Sequence, residues 1–459
     1  MVANNLKILI VNNLYPPHYI GGYGLRCSQV AEYLHGAGHE VRVLTSSIRL
    51  ELEGNGSSNP TTENDSTMPV ERWLHYYTWD WEMTGPLYTV AMGEGQLVQA
   101  RLFSQLVGEF QPDIVNWWNL EGLTKAILPI PAALGIPDVY WVEDLWNIHE
   151  YGIQGENENL SWFSFWRGDW GPRFSRPFLR RTLALRERAV RREGIRTRPF
   201  LNRPRHVCFV SEFMRFEHQA AGLVFPSSEV IYGGISPQRF YAQRVVADFQ
   251  GGPLRLLYAG YVEPSRGLHT IVEALGLLPQ NIREKIELSV ANSGLERPER
   301  YVEDIKKRIE RLGLTKTVKF LGKIPHEEMA HVYQANHVLV FASTRKEGFP
   351  MTMLEAMCGG CAVITTGSGG AIEIADIADL PIFPKDHPVA LSRLIAKLVR
   401  DRELVFQTAM LGQQVALENF TFGRTMEHLI ETFRVLCGGR YEQHGSLVAR
   451  KDEELRIPG

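Results

Sequence analysis

The chain has little of what would mark several protein classes. Cysteine is scarce: five residues, an odd number scattered over 459 positions, do not suggest a disulfide framework. No apolar run reaches membrane-spanning length. The first one, Leu6 to Val11, is too short for a signal-peptide core and is expected to be a buried first strand of a cytoplasmic protein. Neither charge sign dominates, with 49 Lys and Arg against 52 Asp and Glu, a net charge of −3. That balance, without a recognition motif, argues against nucleic acid as a partner. No Gly-x-Gly-x-x-Gly follows a predicted strand, which disfavours a nicotinamide dehydrogenase. No Asp-x-Asp is present either, so no obligatory metal is expected. Two decoys fail on spacing. Cys358 and Cys361 form a lone Cys-x-x-Cys pair at a helix end, and His326 and His331 are five apart where a zinc-protease helix needs four.

What is there centres on Lys346 to Met357, where Glu347 and Glu355 stand eight positions apart. His337 to Ala342 reads as a buried strand, and a helical pattern begins near Thr352 and stops at Gly359-Gly360. A strand, a Gly/Pro turn and a helix N-terminus aim backbone N–H groups at an anion, with the helix dipole behind them. Carboxylates fit the same place if the ligand is a nucleotide sugar. Its diphosphate takes the N–H groups, and its hydroxyls donate to the carboxylates.

Further strands, some with the turn that follows, read at Leu6 to Val11, Glu40 to Thr45, Asp113 to Trp118, Asp138 to Val142, Val207 to Ser211, Leu254 to Gly260, Glu287 to Gly294, Val318 to Pro325 and Val363 to Thr366. Alternating with helical patterns, they predict an α/β protein of two doubly wound, Rossmann-like domains. Residues 1–241 form the first domain, with a loop at about 51–69 and a Trp/Arg-rich insertion at about 146–205. A polar linker is expected at 242–252, a second domain at 253–415, a helix crossing back at 416–437 and a disordered tail at 438–459. All ten tryptophans fall between Trp73 and Trp170. Trp162, Trp166 and Trp170 recur at helical spacing before the arginine-rich run Arg173 to Arg205. This region is read either as contact with an anionic membrane or a glycan, or as a Trp-rich core beside a solvated basic helix.

Glu347 and Glu355, with Gly348-Phe349 after the first and Ala356-Met357 after the second, resemble the Glu-x7-Glu signature of family 4 of the retaining glycosyltransferases. The resemblance spans roughly residues 6 to 437, is strongest from Leu254 to Glu373, and implies the GT-B architecture with a donor cleft between its domains. It implies that Gly21 and Gly22 abut the donor diphosphate, that Arg266 neutralises it and Gly267 gives it room, and that the loop at Ile324 holds the base. Gly348, Phe349, Met351 and Thr352 would line the donor site. Glu347 would orient the transferred sugar and Glu355 the ribose. Tyr261 stands where relatives carry a second phosphate cation. Glu143 stands where many carry His, so Glu143 and Asp144 are read either as acceptor-facing groups or as structural ion-pair partners. The expected activity is retaining transfer of a hexosyl-type sugar from a nucleoside-diphosphate donor to a hydroxyl of a glycan, lipid-linked or small-molecule acceptor. A non-catalytic nucleotide-sugar-binding scaffold is the alternative.

Overall fold

The computed structural model describes residues 5–48, 68–76, 86–150, 174–192, 204–223, 225–292 and 299–438. Among the described residues, twelve strands form two parallel sheets. The first contains β1 (Lys7–Val11), β2 (Glu40–Ser46), β3 (Val70–Leu74), β4 (Ile114–Trp117), β5 (Asp138–Val142), β6 (His206–Phe209) and β7 (Ser228–Val230), in the order β3-β2-β1-β4-β5-β6-β7. The second contains β8 (Leu254–Gly260), β9 (Ile286–Asn292), β10 (Val318–Lys323), β11 (Val338–Phe341) and β12 (Ala362–Thr365), in the order β10-β9-β8-β11-β12.

Helices cover both faces, so the central strands are apolar at consecutive positions instead of alternating. Ile8 to Val11 and Val338 to Val340 are essentially inaccessible. In each sheet the strand order reverses once, between β1 and β4 and between β8 and β11. A crevice opens beyond the carboxyl ends of the strands at such a reversal, which is where open α/β sheets bind ligands. The loop after β1 leads to Gly21, and the loop after β8 carries Tyr261 to Gly267. The Glu347 turn follows β11.

The two crevices face each other. A Cβ built on Gly21 would lie 3.3 Å from the Tyr261 hydroxyl. Glu373, in the second domain, accepts the N–H groups of Glu212 and Phe213 at 2.9 and 2.8 Å, capping the first-domain helix Glu212–Ala220. After helix Arg402–Asn419 the chain returns. In helix Phe422–Leu436, His428 and Thr432 bond the β7 residue Glu229 at 2.8 and 2.7 Å.

Part of the stretch read as a polar linker is pinned to the second domain. Phe249 is fully buried in that core, and Arg244 Nη1 donates to the Gln334 carbonyl at 2.8 Å. One aromatic anchor outweighs the polarity around it. Among the tryptophans, Trp117, Trp118, Trp141 and Trp146 are buried, with Trp118 and Trp141 stacked at 5.4 Å. For these four the core reading applies; Trp162, Trp166 and Trp170 lie outside the described residues, as do 439–459 and most of the 51–69 loop. Among the described residues no helix is long and apolar enough to cross a membrane.

Candidate active site

The turn after β11 is built from both sides. Glu347 is 9% exposed, and its Oε1 accepts from Ser343 Oγ and from Arg266 Nη1, each at 2.5 Å. Its carbonyl accepts the Gly370 N–H at 2.8 Å, and no Cβ could fit at Gly369 because the Glu347 backbone lies within 2.3 Å of that position. Arg266 Nε is buried without a hydrogen-bond partner, although Glu263 Oε1 lies 3.5 Å away. A buried guanidinium N–H left unpaired is costly, and an incoming anionic oxygen would satisfy it.

Gly267 has φ +73° and a Cβ there would sit 2.0 Å from the Ala342 carbonyl oxygen. Its need for glycine thus has a packing cause: the loop after β8 must pass against the end of β11. Gly21 also has a positive φ, +69°, whereas a Cβ on Gly22 would meet nothing within 4 Å, so Gly22 borders open space. Tyr261 spans the seam, with the Arg266 guanidinium 5.9 Å from its ring centre.

Glu355 lies one turn inside helix Met351–Cys358, 8% exposed. Tyr333 donates its hydroxyl to Oε2 at 2.8 Å, and His326 Nε2 lies 3.1 Å from Oε1. Both oxygens already have partners, and a ribose hydroxyl would add to this set through remaining lone pairs or displace His326. The Ile324 N–H donates to the Asn292 carbonyl at 3.1 Å, which fixes this loop against the end of β9. Pro350 caps the Met351 helix without a side-chain bond, so the N–H groups of Met351 and Thr352 keep the dipole's positive end. The Phe349 side chain belongs to the core: it stacks on Tyr232 at 5.1 Å and packs on Phe420 at 5.6 Å.

The first domain meets this turn through β5. The Glu143 carbonyl would lie 1.9 Å from a Cβ on Gly348, and Ser211 Oγ donates to the Gly348 carbonyl at 2.7 Å. The Glu143 carboxylate is drawn back, accepting Trp141 Nε1 at 2.7 Å and pairing with Arg26 at 3.4 Å. Burial raises its carboxyl above the usual range, and Arg26 opposes the shift. The ion-pair reading therefore describes Glu143. Asp144 accepts from the Trp146 N–H at 3.1 Å and from Asn119 Nδ2 at 3.3 Å. Burial pushes its carboxyl up to about 7, with Glu121 and Glu143 adding to the shift. Near neutrality such a group can take or give a proton.

Sequence reasoning missed Ser343, Tyr333, His326 and Arg26 as partners of the named carboxylates. Ser343, four residues before Glu347, was within reach of a local reading; the others come from distant segments that only the fold brings together.

Two facing parallel-sheet domains with a site at their seam define the GT-B class of glycosyltransferases. Residues 20–239 match the family model described as Glycosyltransferase Family 4, and residues 241–410 match that of the group 1 glycosyl transferases. These spans abut and account for most of the chain: it belongs to the family 4, group 1 glycosyltransferases. A glycogen synthase of Mycobacterium tuberculosis is 25% identical over 372 residues, 80% of this chain and 79% of that protein. An uncharacterized glycosyltransferase of Methanocaldococcus jannaschii is 24% identical over 215 residues, 45% of this chain and 52% of the relative. A D-inositol 3-phosphate glycosyltransferase of Corynebacterium urealyticum is 28% identical over 185 residues, 39% of this chain and 42% of the relative. For those two relatives the match spans about half their length or less. In fold, the chain is similar to Anabaena HepE in complex with UDP and glucose, with TM-score 0.63, 19% identity and coverage of 94% of this chain and 100% of that one. It is also similar to sucrose-phosphate synthase from Thermosynechococcus elongatus, with TM-score 0.66, 17% identity and coverage of 94% and 99%.

Proposed function

We propose that the protein transfers a hexosyl-type sugar from a nucleoside-diphosphate donor to a hydroxyl of a glycan, lipid-linked or small-molecule acceptor, retaining the anomeric configuration. The observation that supports this reading is the Arg266–Glu347 pair, in which Arg266 Nη1 holds Glu347 while Nε is buried without a hydrogen-bond partner. HepE, of the same fold, binds UDP and UDP-glucose, which supports a nucleotide-sugar donor.

In this reading negative charge builds on the departing diphosphate. Arg266 and the N–H groups of Met351 and Thr352 stabilise it without reorganising. Glu347, its Oε1 held by two donors, turns Oε2 toward the transferred sugar. Asp144, whose carboxyl burial pushes up to about 7, would take the acceptor proton. No protein nucleophile is assigned, and no metal is required. Against a non-catalytic scaffold stands Arg266, which keeps a leaving-group role open even though Tyr261 replaces the second cation.

The test is thermal stabilisation by UDP, GDP, ADP and TDP and their sugar conjugates, with and without magnesium, followed by an acceptor screen. A ligand at about a hundred times its dissociation constant adds roughly 2.7 kcal/mol. Glu355→Ala should weaken the nucleotide that responds by about 1–3 kcal/mol, the worth of charge-assisted ribose hydrogen bonds. Unchanged affinity removes Glu355 from the donor site.

An anionic membrane is the proposed peripheral partner. Phe174, Phe178 and Leu185 are 86%, 59% and 63% exposed, and exposed Arg181 and Arg188 continue their stripe at four- and three-residue steps on helix Arg176–Arg192. Leu179 and Leu183 are buried on the other side. Exposed apolar groups among arginines suit an anionic bilayer surface. The parent protein should co-sediment with vesicles containing phosphatidylglycerol and not with pure phosphatidylcholine, and a Phe178→Ser/Leu185→Ser variant should be released. No sedimentation of the parent with either vesicle ends this assignment.

A further inference from the structure

Away from the seam, at the opposite end of β6, four side chains of metal-ligating type converge. His206 and Cys208 are two residues apart on β6, so they leave the same face of the sheet. Cys208 is paired with Glu229 in the β6–β7 register, which puts the carboxylate beside the thiol. The ligand atoms of His206, Cys208 and Glu229 all lie within 4.8 Å of one another. Within that triangle, His206 Nε2 is 2.9 Å from Glu229 Oε1, and Cys208 Sγ is 4.0 Å from the same oxygen. The fourth comes from elsewhere in the chain: His428, on the returning helix Phe422–Leu436, has its Nε2 2.8 Å from Glu229 Oε2.

We propose that His206, Cys208, Glu229 and His428 form a binding site for a divalent transition-metal ion of the zinc type. A zinc ion needs its nitrogen, oxygen and sulfur ligands about 2.0–2.3 Å from one centre. The ligand atoms of His206, Cys208 and Glu229, none more than 4.8 Å from another, can surround such a centre, and His428, now held on the other oxygen of Glu229, would turn in as the fourth ligand. The ligand set selects the metal class, because thiolate and imidazole favour zinc over the oxygen-seeking calcium and magnesium. Charge is balanced as well: one thiolate and one carboxylate offset a dication, and the two imidazoles bind neutral. The proton displaced from the thiol leaves to solvent on binding.

Outer partners are in place. Ser227 Oγ lies 2.8 Å from His206 Nδ1 and would fix the tautomer that leaves Nε2 free for the ion, while Thr432 donates to Glu229 Oε1 at 2.7 Å. The site would be structural. It clamps the C-terminal helix, which comes from beyond the second domain, onto the edge of the first domain's sheet.

The experiment uses the full-length protein, freed of metal with a chelator and titrated with cobalt(II) under reducing conditions, then with zinc. One equivalent of cobalt should bind and give a thiolate-to-metal charge-transfer band, and zinc should displace it and raise the melting temperature. Cys208→Ser should lose that band, and His428→Ala should weaken zinc by more than the roughly tenfold to hundredfold typical of outer-shell changes. Circular dichroism of each metal-free variant checks its fold, and the parent's spectrum stands without any variant. Failure of cobalt to bind saturably, a bound spectrum without the thiolate band, or undiminished binding by folded Cys208→Ser would each overturn the proposal. None of these readouts depends on sugar transfer.

Discussion

Arg266→Ala is expected to slow the single-turnover step of sugar transfer by about 10²–10³-fold, the usual consequence of removing one preorganised group that stabilises developing negative charge. The size follows from where the guanidinium sits. Its Nη1 is committed to Glu347, its Nε is buried and unpaired, and the uncharged Tyr261 ring lies 5.9 Å away. Arg266 is the one cation of the Tyr261 to Gly267 loop, so leaving-group stabilisation from this loop falls on it. The variant should also be less stable. Breaking a buried ion pair costs about 3–5 kcal/mol when one charge is stranded. Here the Arg266 side chain is 21% exposed and Ser343 still donates to Glu347, so the loss should fall below that range. Arg266→Lys keeps the charge but loses the planar fork, and should recover stability better than rate. Rapid-quench single-turnover kinetics and thermal melts separate the two effects. A normal single-turnover rate in folded Arg266→Ala would show that Arg266 serves only to hold Glu347.

Legibility in the sequence followed locality. Strand β11 and β1 after Lys7 are continuous apolar runs, β8 is apolar but for Arg255, and the Glu347 turn carries its own punctuation in Gly348, Pro350 and Gly359. These local features carry the two-domain fold and the place of the signature. What stayed hidden was the reason for individual residues. Gly267 looked like room for a phosphate, yet its Cβ space belongs to the Ala342 carbonyl. Phe349 looked like a donor-site residue, yet its ring packs between Tyr232 and Phe420. Glu143 was open to an acceptor-facing or an ion-pair role, and its ion-pair partner, Arg26 of the helix Gly21–Gly36, could not be named from the sequence. Each partner lies far along the chain, where a periodicity or a motif carries no information about it. Glu373 is a similar case. In the sequence it only closes the stretch of strongest resemblance, while the structure gives it a task, capping a helix of the other domain.

Gly348→Ala should abolish detectable turnover, a loss beyond about 10²-fold, while leaving nucleotide affinity within a few-fold of the parent. A methyl group at this position would lie 1.9 Å from the Glu143 carbonyl oxygen, a backbone atom that cannot rotate away. The clash can be relieved only by moving the β5 end and the signature turn apart. Separating them also strains the Ser211–Gly348 bond and the Glu373 cap, because all three contacts span the same seam. Displacing reacting groups by about 1 Å is enough to cost roughly 10²-fold in rate. The donor groups Arg266, Glu347, Glu355 and the Met351 helix terminus all lie in the second domain, so they should move together and still bind nucleotide. Glu347→Ala would make a different pattern, impairing the donor sugar contact without opening the seam. Small-angle scattering on Gly348→Ala should report a larger radius of gyration than the parent. Normal turnover would mean that the seam opens during the reaction without penalty; lost nucleotide binding would mean that Gly21 and Gly22, across the seam, supply much of the donor affinity.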